Sequence, residues 1–152
     1  MNTQRLAHRL GFTVVLLGLS SAAAGADVTI KMLTNGPGGE MLVFDPMFAK
    51  VKVGDTVVFE PLQKAGHTSI SALVPEGATP WKAAQDSQIK VKIEKPGVYL
   101  VECDLHKNMG MVAVLQAGKP VNLAEAKKKA AEESAKMLKN KDRFDKLLAM
   151  VK

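Results

Sequence analysis

Glu102-Cys103-Asp104-Leu105-His106-Lys107-Asn108-Met109-Gly110-Met111 holds the only cysteine of the chain, with an imidazole three residues on and two thioethers after it. The flanks read as strands: Gly97 to Cys103 runs in, Met111 to Gln116 runs out, and a seven-residue connection joins them. Two paired strands would hold the ends of that loop and let Cys103, His106 and a methionine converge. A metal site is the economical reading, because thiolate and thioether are soft donors that suit copper. Two histidines, one cysteine and a distant axial methionine form the ligand set of blue-copper sites. The chain has three histidines. His8 falls in a leader described below, which leaves His67 as the partner of His106.

Working outward, residues 27–117 read as short strands separated by Gly and Pro turns. Asp27 to Leu33 alternates, with Val28, Ile30 and Met32 on one face, and Asn35-Gly36-Pro37-Gly38-Gly39 breaks it. Met41 to Phe44 resumes before Asp45-Pro46. Phe48 to Val53 and Thr56 to Glu60 flank the turn at Gly54-Asp55. Ile89, Val91 and Ile93 alternate with Lys90, Lys92 and Glu94 in the clearest half-buried strand. This pattern predicts an all-β Greek-key sandwich of about eight strands.

Composition changes after Gly118-Lys119-Pro120, and residues 122–151 read as a two-helix tail. Asn122, with Glu125 three residues on, is placed to cap a helix over Leu123 to Lys139, a stretch rich in Ala, Lys and Glu. Asp142 is placed to cap a second. There Phe144, Leu147, Leu148 and Val151 make an apolar stripe at i, i+3, i+4 and i+7, expected to pack on the sandwich. The Lys127-Lys128-Lys129 run reads as a solvated face.

The first 26 residues read as a secretory signal. Arg5 and Arg9 supply its basic end, Phe12 to Leu19 its apolar stretch and Ala24-Gly25-Ala26 its cleavage site, so the mature chain is expected to start at Asp27. The apolar run is too short to span a bilayer. What remains, residues 27–152, suits one domain with its own core. The leader takes away two arginines and no acid, so the formal charge of +6 falls to +4. That excess suits an acidic protein surface. Nucleic acid is a poor fit as a partner, because the lysines are scattered, aromatics are few and an exported chain rarely meets a genome. A single cysteine rules out an internal disulfide, and a thiol in an oxidising compartment needs burial or a metal.

Beyond the loop, Met32-Leu33, Val43-Phe44-Asp45-Pro46, Gly54-Asp55-Thr56-Val57, Gly66-His67, Val74-Pro75-Glu76-Gly77-Ala78, Pro96-Gly97-Val98-Tyr99 and Met109-Gly110-Met111-Val112 occur in that order. With these motifs and the helical tail, the chain resembles the pseudoazurins, within the cupredoxin family. The resemblance implies one type 1 copper ion held by His67, Cys103, His106 and Met111. Met109 is the alternative axial donor, since cupredoxins with a tighter loop use a methionine two places earlier. Otherwise Met109 belongs to an apolar rim where a partner docks and electrons leave through His106. Lys64, Lys82 and Lys107 look like part of the basic ring with which pseudoazurins meet acidic redox enzymes. Three positions depart from the family's usual pattern. Asp104-Leu105 stands where Thr-Pro is usual, Lys107 replaces a Tyr, and Thr68 replaces an Asn after the first histidine. These residues are expected to tune the site, with Thr68 supplying part of the asparagine's hydrogen bonding.

The function so implied is a monomeric, non-enzymatic shuttle of the bacterial periplasm. It takes single electrons from an upstream donor and delivers them to the acidic surface of a reductase, nitrite reductase being the partner the resemblance suggests. The alternative is a copper carrier or chaperone with an exchangeable site. A catalytic copper with several imidazoles and an open position would need more than the two mature histidines. A metal-free binding sandwich is a further reading, tested by adding Cu(II) and looking for an intense visible band.

Overall fold

Alternation along the two strands beside the metal loop decides how the layers stack. Tyr99, Val101 and Cys103 point into one apolar cluster together with Met111, Ala113 and Leu115. Val98, Leu100, Val112 and Val114 point into another, on the opposite face. The computed structural model describes residues 25–152, so the leader expected over residues 1–26 lies outside the described residues, apart from Gly25 and Ala26.

The strands are β1 (Asp27–Asn35), β2 (Met41–Asp45), β3 (Phe48–Val51), β4 (Thr56–Pro61), β5 (Ile70–Leu73), β6 (Ile89–Lys92), β7 (Gly97–Glu102) and β8 (Val112–Ala117). They form two four-stranded sheets, ordered β2-β1-β4-β6 and β3-β8-β7-β5. Pairing is antiparallel except for β1 with β4 and β3 with β8, which run parallel. Between the sheets lie Ile30, Met32, Phe44, Phe59, Tyr99 and Leu115, none more than 1% exposed. Each such side chain contributes about 1.5–3 kcal/mol by leaving water. The Tyr99 hydroxyl donates to Lys95 O at 2.7 Å and so keeps its polar end satisfied inside the core.

Two helices, α1 (Leu123–Lys136) and α2 (Arg143–Leu148), cover the outer face of β7 and β8. The expected stripe is buried there: Phe144, Leu147 and Leu148 pack with Ala126, Ala130 and Met137 against Val98, Leu100, Val112 and Val114. This third layer explains why β7 and β8 are buried at every residue.

Several local expectations are corrected. The fifth strand, β5, is not located by the sequence pattern: Ile70-Ser71-Ala72-Leu73 carries no alternation, because all four residues are half-buried and the pairing to β7 shifts between Ser71 and Leu73. The third strand ends at Val51, two residues short of the expected Val53. Asn122 stands at the head of α1 without making a side-chain cap. Its amide instead works as an extra strand residue, accepting from Val98 N–H at 2.7 Å and donating to Val98 O at 2.9 Å. Asp142 likewise makes no side-chain cap, and pairs with Lys146 at 2.6 Å. Helix α1 stops at Lys136, three residues before the expected Lys139. Met137 turns extended and buries its side chain, and the next two N–H groups donate to Asn108 O.

Candidate metal centre

His67 reaches the site from the segment between β4 and β5, and Asp86 fixes that segment from across the fold. The Asp86 carboxylate accepts from Gly66 N–H at 3.0 Å and His67 N–H at 2.9 Å, while Asp86 N–H donates to His67 O at 2.7 Å. Burial works against the charge on Asp86, but these N–H bonds outweigh it and hold its carboxyl below the usual range. Gly66, at φ +82°, makes the left-handed turn that brings the histidine in.

The His67 ring is fully buried. Its Nε2 lies 3.1 Å from Thr34 Oγ1, which orients the ring, and its Nδ1 has no hydrogen-bond partner. A buried imidazole nitrogen without a partner is costly unless something else engages it, and a metal ion is the partner that suits it. Burial first, and the neighbouring His106 second, push the His67 pKa down, which favours the neutral ring that a metal ligand must present.

Cys103 follows the last residue of β7, and Met111 precedes the first of β8. The pairing continues past the strand ends, because Cys103 N–H donates to Met111 O at 3.0 Å. Between them the chain turns through a short 3-10 segment, Lys107–Met109, and Gly110 at φ +76°. Cys103 Sγ is fully buried and lies 3.5 Å from His106 Nδ1. The ligand atoms of His67, Cys103 and His106 all fall within 4.8 Å of one another. Met111 is fully buried in the same cluster as Cys103, whereas Met109 is only half-buried in the loop. The donor set therefore fits copper: two imidazoles, one thiolate and one inward thioether.

Thr68, Asp104 and Leu105 sit around the ligands. Thr68 approaches Cys103 Sγ with its N–H at 3.3 Å and its hydroxyl at 3.6 Å, and the hydroxyl accepts from Asp104 N–H at 2.8 Å. Asp104 pairs with Lys107 at 2.9 Å and Lys82 at 3.3 Å, which gathers two of the three expected lysines beside the cysteine. Hydrogen bonds from Lys107 and then Lys82 hold its carboxyl below the usual range. Its negative charge is thus answered by two cations. Leu105 is 56% exposed and packs beside Gly66. Lys64 is exposed three residues before His67, and among the described residues no ion pair joins it to the other two.

Thr34 and Asp86 went unrecognised in the sequence. Each acts on His67 from a distant strand or turn, and no local spacing marks either.

The comparisons agree with this geometry. The model of the copper binding proteins of the plastocyanin/azurin family matches residues 30–118. A pseudoazurin of Methylorubrum extorquens is 40% identical over 116 residues, 74% of this chain and 77% of the relative. One of Paracoccus pantotrophus is 35% identical over 139 residues, 90% and 91% of the two chains. Among solved structures, native pseudoazurin from Hyphomicrobium denitrificans superposes with a TM-score of 0.72 at 35% identity, covering 84% of this chain and 99% of that one. With its sandwich, helical tail and histidine-cysteine-histidine-methionine centre, this chain belongs to the plastocyanin/azurin family of copper-binding proteins and, within it, to the pseudoazurins.

Proposed function

We propose that this type 1 copper electron carrier works in the periplasm as a monomer, passing electrons from an upstream donor to the acidic surface of a reductase, a nitrite reductase by resemblance. Bound copper supplies the one-electron couple. The protein supplies the rest. Cys103 gives up its proton on binding and is held by Thr68, His67 and His106 present neutral nitrogens, and both sheets fix the ligand positions so that little moves when charge changes.

The observation that carries the docking reading is the exposure around His106. It alone of the four ligands is not fully buried, and exposed Leu105 and half-buried Met109 lie in the same loop. Lys82 and Lys107 stand at the edge of that apolar surface, joined through Asp104. An apolar contact with a cationic border fits a partner that is acidic around its own entry point. Export is supported by the leader pattern, and no helix of the described residues is long and apolar enough to cross a membrane.

The test is the rate of electron transfer to an acidic copper nitrite reductase as ionic strength rises. The rate should fall steeply with salt, and Lys82→Gln and Lys107→Gln should flatten the dependence. A rate indifferent to salt would remove electrostatic docking.

A further inference from the structure

The carbonyls that lead into Met111 are all held by the helical tail. Asn108 O accepts from Leu138 N–H at 2.7 Å and from Lys139 N–H at 3.3 Å. Met109 O accepts from Asn140 Nδ2 at 2.9 Å, and Gly110 O accepts from Arg143 Nη1. The bonds within the loop spend its N–H groups: His106 donates to Cys103 O, Met109 and Met111 to His106 O, and Gly110 to Lys107 O. Three successive carbonyls are left facing outward, and the connection between α1 and α2, together with the first residue of α2, supplies their donors.

That connection is itself anchored. Arg143 is buried, and besides Gly110 O it binds Leu42 O at 3.2 Å and Glu40 Oε2 at 2.7 Å. Its guanidinium therefore ties the metal loop to Glu40 in the turn before β2 and to Leu42 in β2 itself, in the opposite sheet, and is not free to follow the loop. The fit is close. A Cβ on Gly110 would stand 2.7 Å from Asn140 Cβ and 3.0 Å from Lys139 O.

We propose that Arg143 and Asn140 are positioning residues that set the stance of Met111 and hence how strongly its thioether engages the metal. An axial thioether is a weak, long ligand whose engagement tunes the reduction potential, so a small shift of the loop end is felt there before it is felt at Cys103 or His106. The inference rests on Met111 as the axial ligand.

The test uses Asn140→Gly, which removes the donor but suits the left-handed backbone at φ 53°, together with Arg143→Gln and the conservative Arg143→Lys. Glu40→Gln is the control, since it discharges the ion pair while leaving the bond to Gly110 O. In metal-free protein, exchange at the amides of Met109, Gly110 and Met111 should rise about tenfold or more in Asn140→Gly and Arg143→Gln. In the copper form both variants should still bind the metal, but with a shifted potential and an altered paramagnetic-resonance spectrum. Arg143→Lys should fall between them and the parent. If exchange or melting temperature changes while potential and spectrum stay those of the parent, the tail is structural only and the inference is wrong. Met111→Leu separates that failure from a wrong ligand, because it must change potential and spectrum if Met111 ligates at all.

Discussion

The hydroxyl of Thr68 stands between the sulfur of Cys103, 3.6 Å away, and the backbone N–H of Asp104, from which it accepts at 2.8 Å. One side chain thereby links the segment carrying His67 to the loop carrying the other ligands. A donor to a thiolate stabilises the state in which sulfur holds more charge, which is the reduced one.

Thr68→Val should therefore lower the reduction potential. The backbone N–H of Thr68 still reaches the sulfur, so the loss is partial, about 1 kcal/mol or on the order of 40 mV for a one-electron couple. Voltammetry of the copper protein reads it directly. An unchanged potential would mean that the hydroxyl gives the sulfur nothing.

Asp104→Asn should move the potential the other way. Removing a negative charge beside the cysteine leaves Lys82 without its partner and Lys107 with only Glu102 at 4.0 Å, and the less compensated cations favour the reduced ion. All three groups are partly exposed, so the upward shift should shrink as salt is added. A shift that persists unaltered in strong salt would point to changed loop geometry instead of charge.

Asn122→Ala should destabilise the fold by about 1–3 kcal/mol without altering the copper spectrum, because the N–H and C=O of Val98 both lose their partner. Urea unfolding measures the loss. A cost below about 0.5 kcal/mol would show that water replaces the amide at little expense.

Asp55 gives a stability that depends on acid. Its carboxylate accepts from Lys52 N–H at 2.8 Å and from Ala26 N–H at 2.9 Å, and these two bonds hold its pKa below the usual 3.8. A depressed folded pKa adds stability above the unfolded value, and that stability disappears as pH falls through the folded one. Asp55→Asn should thus lower the melting temperature of metal-free protein near pH ~7, with the difference narrowing as pH falls below the unfolded value of 3.8. The Lys52 bond survives whichever bond the leader is cut at. A difference constant across that range would exclude the carboxylate's charge as the cause.

The ligands were legible because they are nearly local: Cys103, His106 and Met111 share one loop, and only one other histidine follows the leader. The strands bearing them were legible as well, as short apolar runs around Val98 to Val101 and Met111 to Leu115 that are bounded by turn residues at Pro96-Gly97 and Gly118. Strand β5 was not, because a half-buried edge segment such as Ile70-Ser71-Ala72-Leu73 has no face to reveal. Asn122 misled for a different reason. Its position satisfied a local capping pattern, while a strand edge 24 residues earlier competed successfully for the same amide. Thr34, Asp86 and Arg143 act on the ligand segments only through the fold, so one-dimensional spacing carries no trace of their roles.

Because β7 and β8 are covered on both sides, one apolar face of the sheet that holds Cys103 stays uncovered until Phe144 and Leu148 have been delivered. Synthesis and translocation hand over the chain from its N-terminus, so Val98, Leu100, Val112 and Val114 stay bare while about thirty more residues emerge, a sticky interval that favours aggregation. A premature stop after residue 120 would accordingly yield not a smaller carrier but an insoluble one.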